Sequence, residues 1–218
     1  MSFIILLILF WPIALFIILN LFFLPFQFAL YSLFNIVTIP FQLVKIAFNR
    51  RLRANHALEH ATINVIEEHF GSMNLAGLGQ ENGFIIQGPI DPHTVEKAAR
   101  VGLMRLQRGE RELAVHHRCG TSMLAANLVS SVLIILFLWK IGYFGIFYIL
   151  LALVIAQFLG PHLGRFFQKY ITTSTDVEGF EIVGVETGSV SQGFLGFGPL
   201  VRRYFVRTRR LISYADSY

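Results

Sequence analysis

The chain has 218 residues, 55% of them hydrophobic and 14% charged, with a mean hydropathy of +0.61. Soluble domains carry about 25% charged residues, so a soluble fold of this size could not hide so much apolar surface. The net charge of +5 does not require nucleic acid: the basic residues crowd at the ends of apolar segments, where the headgroups of a lipid bilayer would meet them.

Residues 2–24 are apolar except Ser2 and Asn20 and are long enough to cross a bilayer, with Pro12 as a kink. They lack the basic start and small-residue cleavage site of a signal peptide, so retention is expected. Residues 26–48 continue the apolar run past Pro25 but carry Gln27, Asn35, Gln42 and Lys45; they either span or lie in the interface. A polar stretch, 49–120, reads as a small α+β domain. Its first helix covers about 54–70, and a Gly-punctuated stretch of turns follows, with a short strand near 83–87. Asp91 as N-cap and Pro92 at the first helical position open a helix to about 108, with Val95, Ala99, Leu103 and Leu106 on one face. A strand over 112–116 is predicted next.

Residues 121–139 and 142–166 form a transmembrane hairpin, joined by Lys140 and Ile141. Beyond it, 177–186 alternates like a strand, and a Gly-rich turn leads to a basic, aromatic stretch at 201–214. The expected architecture is a membrane α-helical anchor of three or four spans, with a small cytoplasmic α+β domain and a short C-terminal β/basic tail. Its divisions are 1–48 for the N-terminal anchor, 49–120 for the polar domain, 121–166 for the hairpin and 167–218 for the tail. Lys45, Arg50, Arg51, Arg53, Arg165 and Lys169 flank the apolar segments on one side. The positive-inside rule makes that side cytoplasmic.

The sharpest local feature is His56-Ala57-Leu58-Glu59-His60. Four-residue spacing on a helix sets the two imidazoles about 40° apart on one face, within reach of one zinc ion. The carboxylate between them matches the inverted zinc-peptidase pattern, in which that group activates water, so Glu59 is the candidate catalytic residue. The pattern is short, and helix packing or a surface salt bridge would also satisfy it. The second cluster, His116-His117-Arg118-Cys119-Gly120, offers imidazole and thiol ligands that a turn could aim back at the helix. The candidate metal ligands are thus His56, His60, His116 and Cys119. Three of them would leave a position open for water; four would make a structural site. Cys119 has two other readings: a small buried residue at a membrane-surface turn, or a nucleophile whose pKa Arg118 depresses. Glu67 lies two turns beyond His60, too far for the same ion, and is expected to form a salt bridge or support a ligand. Gly77, Gly79 and Gly83 lack the spacing of a dinucleotide fingerprint, and no cofactor-binding residues are assigned.

These residues resemble the YqhQ-like family of bacterial membrane proteins, described only as predicted metal-dependent enzymes. Residues 56–63 are similar to its His-x-x-Glu-His block, and residues 116–122 to its His-Pro-Arg-Cys-Gly-Thr-Ser block. Residues 168–181 are similar to a block with paired threonines and acidic residues. His117 stands where that family tends to have proline, and Ser174-Thr175-Asp176-Val177 replaces a more acidic stretch. With the Phe-rich start, these departures suggest a divergent branch, such as one among photosynthetic bacteria. The resemblance implies a metal centre and leaves the substrate open.

Two functions follow as expectations. One is a membrane-anchored hydrolase using zinc or another divalent metal, a peptidase among the options, acting on a membrane-associated substrate or membrane protein. The other is a non-enzymatic assembly or scaffold factor whose metal or His/Cys cluster is structural. Haem or chlorophyll ligation by a histidine near the membrane is a third possibility, open to test by absorbance.

Overall fold

A computed structural model describes residues 2–141, 146–188 and 202–211. Helix α1 runs unbroken through Ser2–Ala47, so Pro25 does not divide the first two apolar segments. At 1.5 Å per residue its 46 residues extend for about 69 Å, more than twice a hydrocarbon core of roughly 30 Å. Among the described residues, three stretches are long and apolar enough to cross a membrane: Phe26–Ala47, Gly120–Ile141 and Ile146–Thr172. Phe34, Val37 and Phe41 stand about two-thirds exposed along the first of these. So much bare aromatic and aliphatic surface on a helix suggests a membrane protein.

Helices α4 (Gly120–Ile141) and α5 (Ile146–Phe167) pack as a hairpin whose tip, with the start of the fourth expected segment at 142–145, lies outside the described residues. Their approach is set by two glycines one turn apart. A Cβ at Gly160 would collide with Ala126, and one at Gly164 with Ser122. This small-residue seam lets helix backbones meet closely where no hydrophobic drive separates protein from lipid tails. Helix α1 joins them through Asn35, whose side-chain amide donates to Ser131 Oγ at 3.2 Å in a buried contact.

At the same end of all three helices sits the polar unit. Helix α2 (Arg50–Phe70) is capped by Asn49, whose Oδ1 accepts from the Leu52 amide at 3.0 Å, an interaction typically worth ~1 kcal/mol. Helix α3 (Pro92–Gln107) starts at the expected Asp91 cap, and Val95, Ala99, Leu103 and Leu106 are all buried. The two helices pack where Gly102 lies against Ala61. They cover an antiparallel sheet of order β1-β2-β4-β3, made of Ala76–Gln80, Gly83–Gly88, Arg202–Arg210 and Phe180–Thr187 for β1, β2, β4 and β3. The core includes Leu58, Ile63, Ile66, Phe84, Ile86, Val206 and Tyr204, whose hydroxyl donates to the Ile90 carbonyl.

Several expectations are corrected here. Gly77 and Gly79 lie in strand β1 rather than in turns, and the basic stretch 202–210 is a strand in the interior of the sheet. Its alternation of Tyr204, Val206 and Thr208 faces the core while Arg203, Arg207 and Arg209 face out. The strand expected over 112–116 is instead a 3-10 turn, Arg111–Ala114. The Gly-rich turn before β4, and residues 212–214 after it, lie outside the described residues.

Candidate metal centre

Helix α2 delivers His56, Glu59 and His60 to one place because all three belong to its first three turns. The chain just before α4 delivers Cys119. The donor atoms of His56, His60 and Cys119 lie within 4.8 Å of one another, and His56 Nε2 is 3.4 Å from Cys119 Sγ. Tetrahedral donors bound to zinc at 2.0–2.3 Å are roughly 3.3–3.8 Å apart, so little closing movement is required.

The hydrogen bonds fix which ring nitrogens face inward. His60 Nδ1 donates to the Ala114 carbonyl at 2.7 Å and His56 Nδ1 to the Thr172 carbonyl at 3.0 Å. A carbonyl can only accept, so each proton sits on Nδ1. Burial lowers the pKa of both imidazoles and keeps them neutral, most strongly for His60, which nearby His56 lowers further. Both Nε2 atoms therefore present lone pairs. His60 Nε2 is fully buried and, among the described residues, is the only buried side-chain nitrogen or oxygen without a hydrogen-bond partner. Leaving such an acceptor dry costs about 1–3 kcal/mol, an expense that a bound cation would remove. Backbone carbonyls behind imidazoles are also the usual means of orienting metal-binding histidines. The donor set fits a soft or borderline divalent ion such as zinc.

Cys119 is supported by Thr121, whose amide donates to Sγ at 3.4 Å and whose hydroxyl lies at the same distance. Burial pushes the thiol pKa up. Arg118, which could have activated it, turns away to donate to the Met73 carbonyl and Ser72 Oγ. The nucleophile reading of Cys119 thus loses its activating charge.

Glu59 is buried beside the cluster, with Oε2 3.9 Å from His56 Nε2. Desolvation raises its pKa to about 8, against the lowering effect of a hydrogen bond from the Gly79 backbone. Gly77 and Gly79 share one face of β1: a Cβ at Gly77 would run into the Glu59 carboxylate, and one at Gly79 would crowd the His56 backbone at 3.0 Å. The glycine face is what lets β1 close over α2. The i, i+2 spacing of the glycines was the available signal for this. A cavity of about 510 Å³ opens onto His56, Glu59 and Cys119, and its wall includes Ile46 at the end of α1 and Leu124 in α4.

His116 does not join this set. Its Nε2 bonds Glu67 Oε2 at 3.3 Å, and its backbone amide donates to Gln168 Oε1 at 2.9 Å. It groups with Glu67 and His117 instead, and Glu67 also pairs with Arg118 at 3.8 Å, the salt bridge expected from its distance along α2. The supporting residues were not assigned individually from sequence. The buried Gln168 bridges His116 to Ser122, and the buried Asn55 holds α2 to the β1–β2 turn and to Thr208. Gln168 and Thr172 lie in a π-helical turn, Gln168–Thr172, that ends α5; such turns are frequent at functional sites.

Residues 51–185 match the family described as Domain of unknown function (DUF6391), which takes in α2, both site clusters, the hairpin and most of β3. The chain belongs to this family. An uncharacterized protein of Picosynechococcus sp. is 31% identical to this DUF6391 chain over 137 residues, which is 56% of the present chain and 66% of that relative, just under two thirds of its length. No solved structure matches. The likeness to YqhQ-like proteins rests on the three motif blocks alone.

Proposed function

We propose that this protein is a membrane-anchored, metal-dependent hydrolase, with zinc as the metal and a peptide bond of a membrane-associated substrate as the leading target. The reading rests on one observation: a neutral, unpartnered His60 Nε2 beside His56 Nε2, Cys119 Sγ and a buried carboxylate. An ion held by His56, His60 and Cys119 would supply a Lewis acid. Glu59 would accept a proton from the attacking water at a carboxylate oxygen. Burial favours the neutral acid, and nearby positive charge would favour the ionised base. The apolar wall from Ile46 and Leu124 supports a substrate that arrives along the membrane. Three protein donors, the fewest that hold zinc at a catalytic site, support an open position for water. The YqhQ-like motif blocks support the same chemistry, and the basic Arg50, Arg51 and Arg53 support a cytoplasmic placement of the site in a bacterial inner membrane or thylakoid.

The test is metal analysis of protein purified in mild detergent without chelators. One zinc per chain is expected in the wild type and in Glu59→Gln, and none in His60→Ala. Once a substrate is identified, Glu59→Gln should lower turnover by about 10²–10⁴-fold, the usual contribution of a general base. Absence of stoichiometric metal would remove the proposal.

One observation favours a second reading, a non-enzymatic scaffold with a structural metal. Glu59 Oε2 lies 3.9 Å from His56 Nε2, and a turn of its side chain toward His60 and Cys119 would complete a closed set of four donors. In that case Glu59→Gln should lower metal affinity, and stripping the ion should unfold the polar unit.

A further inference from the structure

Behind the metal-binding histidines, with Ala114 and Thr173 in its wall, lies a second cavity of about 780 Å³. Its charged wall comes from four parts of the chain: Arg53 of α2, Arg111 and Glu112 of the 3-10 turn, Arg165 near the end of α5, and Lys169 just beyond it. Four cations thus face one carboxylate. None of the four makes an ion pair with a carboxylate among the described residues, although Arg50, Arg100, Arg105, Arg118, Arg207 and Arg209 all do. Arg53 is committed to backbone carbonyls of Ala47, Tyr170 and Thr173, which fixes its guanidinium at the junction of α1, α2 and α5. Arg165 donates to His162 Nδ1 at 3.1 Å, and Lys169 Nζ lies 5.4 Å from the Tyr170 ring centre. Arg111 and Lys169 are exposed, and among the described residues neither side chain has a hydrogen-bond acceptor.

Such a concentration of unneutralised positive charge repels itself unless an anion enters. Its position identifies the anion. Arg165 and Lys169 are at the polar end of a membrane-length helix, and Phe166 and Tyr170, both more than half exposed, lie one turn apart beside them at 4.9 Å between tilted rings. Aromatic rings at the end of a membrane-length helix mark the headgroup level, and basic pockets at that level suit lipid phosphates. We propose that this cavity binds the headgroup of an anionic phospholipid, with Arg111 and Lys169 on its phosphate and the acyl chains lying along the Phe166 side of α5. The cavity shares none of the metal-binding donors His56, His60 and Cys119, although its wall includes Ala114, whose carbonyl accepts from His60.

The test uses the full chain in nanodiscs or mild detergent micelles carrying equal phosphatidylglycerol and phosphatidylcholine, with co-purifying lipid read by native mass spectrometry. Phosphatidylglycerol should be retained in preference, and Arg111→Gln and Lys169→Gln should each cut that preference about fivefold, the effect of one basic residue at a membrane surface. Both side chains are exposed, so metal content and melting should stay at wild-type values. Equal retention of the two lipids by the wild type, a comparison that needs no variant, would overturn the proposal, as would a preference unaltered in both variants. Inorganic phosphate is the other source of the same chemistry. If low millimolar phosphate displaces the lipid and alone stabilises the protein in lipid-free detergent, the cavity serves a soluble anion and the lipid assignment fails.

Discussion

Replacing Glu59 by glutamine keeps the shape of the side chain and removes its titration. In the metal-free protein, desolvation raises this carboxyl from 4.5 to about 8. Between those values the native state keeps a proton that the unfolded chain has released, so native stability falls as pH rises through the window. At about 1.4 kcal/mol per pH unit, the loss over 3.5 units is roughly 5 kcal/mol. It is absent at or below pH 4.5 and complete above pH 8. The histidines act with the opposite sign. Burial lowers the pKa of His56, His60 and His116, so stability falls as pH drops below 6.5, where the unfolded chain takes up protons that these rings do not. Their contribution is common to both proteins and cancels in the difference. Melting of wild type and Glu59→Gln in detergent with chelator, from pH 5 to 9, should therefore give curves that diverge steadily above pH 5, with the variant relatively more stable at pH 9. Parallel curves would show that Glu59 is already ionised in the native state, and the account of its burial would fail.

Gly77→Ala should drive a methyl group into the Glu59 carboxylate, at a cost of about 1–3 kcal/mol, and displace the carboxylate from His56. Thermal melting would register the first effect and a loss of turnover, with metal retained, the second. Gly164→Val should force α4 and α5 apart at Ser122. That movement breaks the Ser122–Gln168 bond and the alignment of Thr172 with His56, so zinc affinity should fall although no ligand has been altered. Competition with a chromophoric chelator would measure it; unchanged affinity would mean that the hairpin does not hold the centre.

Local signals carried most of what was legible in the sequence. The Asp91 cap with Pro92, and the four-residue histidine spacing, act within one helix and need no partner. Helix α2 begins four residues earlier than expected because Arg50 to Arg53, read as charges leaving the membrane, also form its first turn under the Asn49 cap. The misread segments depend on contacts distant in sequence. Residues 112–116 were expected as a strand, but their carbonyls are taken by side chains of α2: Leu113 and Val115 by Asn64, Ala114 by His60. Those bonds hold the segment against α2 as a 3-10 turn rather than beside a strand. Strand β1 looked like turns because its glycines signal flexibility locally, whereas their use is to admit α2. Composition could foresee that His116 and Cys119 both come near the helix. It could not foresee that the turn between them, closed by the Cys119 amide on the His116 carbonyl, aims the two side chains at different partners.

The hydrogen bond from His56 to the Thr172 carbonyl has a bearing on modularity. Thr172 is the last residue of the π-helical turn that closes a membrane-length stretch, and Cys119 immediately precedes another. One donor of the centre and the orienting acceptor of a second thus belong to the borders of the hairpin rather than to the polar unit. The centre has no excisable version: a water-soluble fragment cut before Gly120 would keep both imidazoles yet leave one of them unaligned. For this protein, crystallisation, transplantation and recombination all have to treat anchor and centre as one inherited part.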